Sequence, residues 1–332
     1  MANCNNQFID FNSNISLTDD RKSKLKKSRK KLRDRVRDDF KENHKTEIKP
    51  QFSSQGSSEM KTGINPIPRT IDEDGEGKTI TKYDTDDGIY FIGLVDNRKT
   101  VQTYHNWIRD AVDGYTSIPP VDKNTCVRTL FSDGHHIDQP IYFIDAEDDK
   151  HPWLAHKKNG WISSDPKEFY KWFNNEASKN EQLRRLVKYL KAWCDFQNYE
   201  DNSKKMPTGF VITIWVTNNF SSDSRDDVAL KNTLNNIYNQ LSINFSCLRP
   251  TTPKEEDVMD DYSYENYFMD KLKTFLDTSI QAINETNQKN ACYKWQKHFG
   301  SRFSCANAKD EDEGAKSYSS PAVITSNAKS AF

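Results

Sequence analysis

The chain has 332 residues, with 48 basic and 49 acidic side chains, a formal net charge of −1 and a mean hydropathy of −0.93. That length holds two lobes with substantial cores. The balanced charge excludes a chain-wide drive toward nucleic acid or membrane, and no apolar run approaches the roughly 20 residues that span a bilayer. The start, Met1 to Asn6, has no basic region followed by an apolar one, so no secretory signal is expected. Six cysteines (Cys4, Cys126, Cys194, Cys247, Cys292, Cys305) are scattered without a Cys-x-x-Cys pair. Reduced thiols in a cytoplasmic protein are therefore expected, not a disulfide framework or a zinc site.

The first expected helix starts at Thr18, whose hydroxyl can cap it, with Asp19 and Asp20 complementing the helix dipole. Leu25, Leu32, Val36 and Phe40 recur at steps of 7, 4 and 4 and form one narrow apolar stripe. Between Arg21 and Arg37 the other faces carry eleven Lys and Arg. Such a helix packs along one seam and shows either an electropositive wall near phosphates or an ordinary solvated face. A small-residue turn follows at Gln55-Gly56-Ser57-Ser58, which can bring backbone N–H groups close to phosphate oxygens. The stretch from Gly63 to Gly77, with Pro66, Pro68 and an acidic patch from Asp72 to Glu76, reads as a surface loop.

Next comes Asp84-Thr85-Asp86-Asp87-Gly88, leading into an apolar strand at about 89–95. In an extended chain Asp84 and Asp86 share a face, where two close carboxylates repel unless a divalent cation lies between them. Taken alone, the cluster also reads as a solvated turn before a strand. A helix is expected over 105–112, then strands over 125–131 and 136–144. In the last of these, Ile137, Gln139, Ile141 and Phe143 fall on one face, and Asp138, Pro140 and Tyr142 on the other. Pro140 cannot donate to a ladder, which predicts an edge strand or a bulge. Asp138 needs a partner if buried; a metal shared with Asp84 and Asp86 would supply one, and an edge-facing polar position would need none.

From Trp161 the pattern turns helical. Asp165-Pro166 signals a helix start, with Asp as N-cap and Pro at N1. Further helices are expected over 181–196, 228–241, 264–287 and 291–299, whereas periodicity alone does not assign 210–217. After Cys305 the chain is rich in Ser, Ala, Lys and Asp and reads as disordered.

Three carboxylates on two strands, preceded by Gly-Ser and followed by a helical lobe, resemble the DNA polymerase β-type nucleotidyltransferases. More narrowly, Gln55-Gly56-Ser57, Asp84-Thr85-Asp86-Asp87-Gly88-Ile89-Tyr90 and His136-Ile137-Asp138-Gln139-Pro140-Ile141-Tyr142 are similar to the bacterial CD-NTases. These are the cGAS/DncV-like nucleotidyltransferases of CBASS antiphage systems. Trp161-Ile162-Ser163-Ser164-Asp165-Pro166, Lys191-Ala192-Trp193, Phe299-Gly300-Ser301-Arg302 and the basic first helix extend the resemblance to about residue 304. Two departures stand out: the span from Tyr142 to Trp161 is short, and Ser58 replaces the family's Phe after Gly-Ser.

The resemblance implies an α+β fold: a mixed-sheet catalytic lobe with a spine helix over 1–160, a helical lobe over 161–304 and a flexible tail over 305–332. It implies a cyclic dinucleotide synthase that joins ATP and/or GTP and releases pyrophosphate, making a second messenger of antiphage defence. Asp84, Asp86 and Asp138 would be the catalytic carboxylates and hold two Mg²⁺ or Mn²⁺ ions. Gln55, Gly56, Ser57, Ser164, Asp165, Lys191 and Thr208 would bind nucleotide. The product would act on a downstream effector, and an E1/E2-like ligase would act on the carboxylate of Phe332. Neither membrane nor nucleic acid is required. Two other readings are open: a linear nucleotidyltransferase acting on RNA or a small molecule, and a catalytically dead nucleotide or RNA sensor.

Overall fold

The computed structural model describes residues 1–73, 76–147 and 151–311, so the conjugation expected at Phe332 lies outside the described residues. In chain order the elements are α1 (Asn5–Ile15), α2 (Asp19–Glu42), β1 (Gln51–Gln55), α3 (Ser57–Met60), β2 (Arg69–Glu73), β3 (Glu76–Ile80), β4 (Asp84–Gly93) and α4 (Val101–Val112). Then come β5 (Val121–Asp122), β6 (Cys126–Leu130), β7 (His136–Asp145), β8 (Trp153–His156) and β9 (Gly160–Ser163). Six α-helices follow among the described residues: α5 (Pro166–Lys179), α6 (Gln182–Glu200), α7 (Gly209–Asn219), α8 (Asp226–Ile243), α9 (Glu265–Asn284) and α10 (Gln288–Phe299).

The fold is α+β. Its main sheet runs β1-β4-β7-β6-β5, with β8 and β9 continuing beside the far end of β7. The central β4–β7 pair is parallel and the other pairs are antiparallel. Strand alternation gives the sheet two different faces. Ile89 and Phe91 of β4 and Ile137, Ile141 and Phe143 of β7 turn toward α2 and α4, where they meet Leu25, Leu32, Val36, Phe40, Tyr104 and Ile108 in one buried cluster. The even-numbered positions, Asp84, Asp86, Asp138 and Tyr142 among them, are left for the opposite face.

α2 follows the sequence reading closely: Thr18 Oγ1 accepts from the N–H of Arg21, and the apolar stripe is buried. Its inward side also carries one cation. Arg33 Nε donates to both carboxylate oxygens of the fully buried Asp87, at 2.8 and 3.1 Å. Asp87 therefore belongs to the spine, not to the cleft beside it.

Several expectations are corrected. Residues 63–77 are not a plain loop, because β2 and β3 form a hairpin with Arg69 opposite Ile80. The β-branched Thr70, Ile71, Thr79 and Ile80 outweigh the nearby prolines. β7 is not an edge strand, since it lies between β4 and β6. Pro140 is accommodated by a gap: the β4 ladder stops after Asp86↔Asp138 and resumes in the same register at Ile89↔Ile141. Cys292 and Cys305 form a disulfide, against the expectation of reduced thiols throughout, because the turn after α10 brings the two Cα atoms to 5.8 Å. Residues 305–311 do not begin a disordered tail. Lys289 N–H donates to the Lys309 carbonyl at 3.0 Å, and Lys309 N–H to Gln288 Oε1 at 2.7 Å.

The helical cluster centres on α6 and α7. The ambiguous stretch 210–217 lies within α7, a helix apolar all round because neighbours surround it. α1 also belongs to this cluster, although it precedes the spine helix in sequence. Phe8 and Phe11 pack against Tyr189, Phe299 and Phe303.

Candidate active site

One row of side chains crosses four strands on the face of the sheet away from α2. Gln55 of β1 pairs with Asp86 of β4, Asp86 with Asp138 of β7, and Asp138 with Arg128 of β6. One step earlier, Asp84 lies opposite His136. The parallel register of β4 and β7 brings together carboxylates 52 positions apart in sequence. Asp84, His136 and Asp138 each offer a ligand atom within 4.8 Å of the others.

Electrostatics single out Asp86. Burial, then Asp84, then Asp138, push its carboxyl up to about 8. For Asp84 the walls of the cleft oppose ionisation, but His136, Arg128 and Lys191 together hold its carboxyl below the ordinary range. His136 Nε2 stands 3.6 Å from Asp84 Oδ2. Asp138 has a protein partner that sequence reasoning missed. Arg128 donates from Nε to Oδ1 and from an Nη to Oδ2, both at 2.6 Å. A charged residue within a short apolar strand, the signal that marked Asp138, also marks Arg128.

Behind the row lie two stacked tyrosines, Tyr90 and Tyr142, with ring centroids 4.8 Å apart. Gln55 donates through Nε2 to the Tyr142 hydroxyl at 3.2 Å and accepts from the Tyr90 hydroxyl at 3.3 Å. Its side chain is thus tied to the floor of the site. Gly56 leaves β1 with φ 65° and ψ −146°, a conformation open almost only to glycine. A Cβ there would collide with Asp86 Oδ2. The chain then turns at once into α3, with Ser57 as its first residue.

A cavity of about 590 Å³ opens between this sheet face and the helices. Gln55, Gly56, Ser57, Ser164, Asp165, Lys191 and Thr208 all line it, together with Asp84 and Asp86; Asp138 does not line it. Lys191, on α6, donates to Thr62 Oγ1 at 3.1 Å. Burial lowers its ammonium to about 8, while Asp84 and Asp86 pull the other way. Asp165 caps α5 by accepting from Glu168 N–H at 2.9 Å, and its other oxygen meets His151 Nδ1 at 3.0 Å. Thr208 caps α7 at the cavity wall. Arg249 and Phe210, unremarked in the sequence, face the same space, with the guanidinium 5.0 Å over the ring. The Phe299–Arg302 motif does not itself line the cavity, but it holds Asp195, which does. Arg302 reaches the Asp195 carboxylate at 2.9 Å, and that carboxylate also accepts from Ile67 N–H at 2.8 Å.

The donor set fits divalent cations. Asp84, His136 and Asp138 converge, and the adjoining Asp86 carboxyl is driven up by burial and then by the negative charge of Asp84 and Asp138, a cost that a hard cation relieves. Together with the mixed sheet and helical lobe, this is the architecture of a polymerase β-like nucleotidyltransferase.

Comparison with known proteins narrows the class. Residues 50–142 match the family described as cyclic GMP-AMP synthase DncV-like, nucleotidyltransferase domain. A cyclic GMP-AMP synthase of Escherichia albertii is 31% identical over 172 residues, which cover 49% of this chain and 36% of that protein. The match thus spans about a third of the relative's length. Among solved structures, Vibrio cholerae DncV cyclic AMP-GMP synthase with nonhydrolyzable GTP superposes with a TM-score of 0.75 at 20% identity, covering 92% of this chain and 97% of that one. The same protein with the linear intermediate 5′ pppA(3′,5′)pG gives 0.73 at 20% identity, covering 91% and 96%. This chain has the DncV fold.

Proposed function

We propose that the protein joins two nucleoside triphosphates, ATP and GTP, into a cyclic dinucleotide through two successive nucleotidyl transfers. In each transfer the acceptor ribose hydroxyl oxygen forms a bond to the donor α-phosphorus. The bond from that phosphorus to the bridging oxygen breaks, its electron pair leaves with pyrophosphate, and the hydroxyl proton passes to solvent. The observation that carries this reading is the in-register row of Asp86 and Asp138 beside Asp84, at the floor of a cavity that Lys191 and Ser57 also line.

Asp84, Asp86 and Asp138 would hold Mg²⁺ or Mn²⁺, two ions in all. Bound there, the cations would supply charge neutralisation and a more acidic acceptor hydroxyl. Gly56 and Ser57 offer backbone N–H groups and a hydroxyl to the donor phosphates, and Lys191 a point charge. Ser164, Asp165 and Thr208 offer polar atoms along the opposite wall. Gln55 acts from beneath, holding Tyr90 and Tyr142 under Asp86. The relatives' names point to cyclic GMP-AMP as product, which would serve as a second messenger of antiphage defence. The carboxylate of Phe332 as a handle for an E1/E2-like ligase is a separable part of the same reading.

The test is Asp84→Asn combined with Asp86→Asn. With ATP, GTP and Mg²⁺, product measured by mass spectrometry should vanish while the circular dichroism spectrum is kept. Undiminished synthesis by the double variant would remove the assignment.

A further inference from the structure

A second cavity, of about 550 Å³, lies on the other side of Ser57 and Asp84 from the nucleotide cleft. The two cavities share Leu17, Ser57, Gly63 and Asp84, so they adjoin through a doorway at the end of β1. Their linings differ in charge. Lys22, Lys26 and Arg29 of α2, Lys61 at the end of α3 and Lys188 of α6 surround the second cavity, and Asp84 at the doorway is its one carboxylate among the described residues.

Three features make this more than a basic surface. Lys188 lies between elements, and its ammonium donates to the neutral Ser16 hydroxyl at 3.0 Å. Burial, then Arg185, Lys22 and Arg184, push it down to about 8, with Glu181 opposing them. Lys61 adopts φ 56°, a left-handed conformation unusual for a residue with a side chain, and α3 ends there. Ser58, where Phe was expected, presents a small polar residue to the cavity wall.

We propose that this cavity is a receiving site for inorganic pyrophosphate, which enters from the nucleotide cleft past Ser57 and Asp84. The inference rests on the nucleotidyl-transfer reading above. Pyrophosphate is small, multiply charged and rich in acceptor oxygens, and it is generated beside the doorway. Five cations with few anionic partners suit it, because charge-assisted hydrogen bonds to phosphate oxygens are strong and short. The site would draw the leaving group away from the α-phosphorus and so oppose the reverse reaction. It would also clear the donor position before the linear intermediate turns round.

The experiment is calorimetric titration of inorganic pyrophosphate, without turnover, into the wild type and into Lys188→Gln, Lys61→Gln and Lys24→Gln. Lys24 lies on another face of α2, paired with Asp133 at 2.6 Å, and serves as the control. AMP, which lacks β- and γ-phosphates, is titrated in parallel. Lys188→Gln and Lys61→Gln should each weaken pyrophosphate at least about tenfold, with AMP affinity unchanged and Lys24→Gln like the wild type. Lys61 is exposed, so its variant keeps the test open if Lys188→Gln fails to fold. Wild-type pyrophosphate affinity in both variants, or an equal loss of AMP, overturns the proposal. Dinucleotide synthesis is measured separately. Synthesis with pyrophosphate binding indifferent to both lysines would sink the receiving site alone. Lysine-dependent binding without synthesis would sink the reaction assigned to the cleft.

Discussion

Gly56 shows how tightly a single backbone position can be bound to chemistry. Its φ of 65° turns the chain from β1 into α3 within one residue, and its missing Cβ leaves room for Asp86 Oδ2. Gly56→Ala would do harm in two ways. The backbone strain should cost about 1–3 kcal/mol in a denaturant melt. The displaced Asp86 should lower pyrophosphate release about 100-fold or more, since displacements near 1 Å in a reacting constellation carry penalties of that order. An alanine variant with wild-type turnover would show that Asp86 need not occupy this position. Asp138 illustrates the limit of reading residues singly. Its charge within an apolar strand was visible, but its bidentate partner Arg128 became evident only once β6 and β7 were paired.

Elements were legible where one local signal dominated. The Thr18 cap and the stripe of α2, and the Asp165-Pro166 start of α5, needed no tertiary information. α1 was missed because Asn5, Asn6, Asn12, Ser13 and Asn14 dilute its pattern, and its helicity depends on Phe8 and Phe11 being buried by distant helices. The register of β4 against β7 was likewise not local, because nothing in either strand fixes an offset of 52 residues. The α9–α10 contact adds a pH dependence that sequence does not suggest. His298 stacks on Phe275 with centroids 4.5 Å apart. Burial, then the nearby Lys271 and Lys297, lower its imidazole to about 4 from the ordinary 6.5. The native chain therefore refuses a proton that the unfolded chain accepts between pH 6.5 and 4. Stability from this group is complete above pH 6.5 and declines as pH falls toward 4, by about 3 kcal/mol over the interval. His298→Phe, which keeps the stack, should flatten that decline in urea melts at pH 7, 6, 5 and 4. An unchanged slope would show that His298 does not titrate this way.

At the scale of the molecule, the cavity depends on packing from both ends of the chain. The sheet supplies the carboxylates, but Lys191 and Thr208 come from helices whose packing depends on α1 and on the turn after α10. Phe8 is fully buried, and its ring meets Tyr189, Trp295, Phe299 and Phe303 at centroid distances of 4.9–6.0 Å. Tyr189 adds a polar tie, donating from its hydroxyl to the Phe8 carbonyl at 2.9 Å. The N-terminal helix is thus a wedge among α6, α10 and residue 303, and α6 in turn carries Lys191 one turn beyond Lys188. Removing the Phe8 ring leaves a cavity at that junction, and Phe→Ala changes in well-packed cores cost about 3–5 kcal/mol. Phe8→Ala should show that loss in denaturant melts and raise the KM for nucleotide triphosphates, because the α6 cations lose their fixed position. Phe8→Leu, which restores part of the volume, should recover part of both. A Phe8→Ala protein with unchanged stability would mean that α1 only lies on the helical lobe. One destabilised but with unchanged KM would mean that the wedge supports the fold and not the cleft.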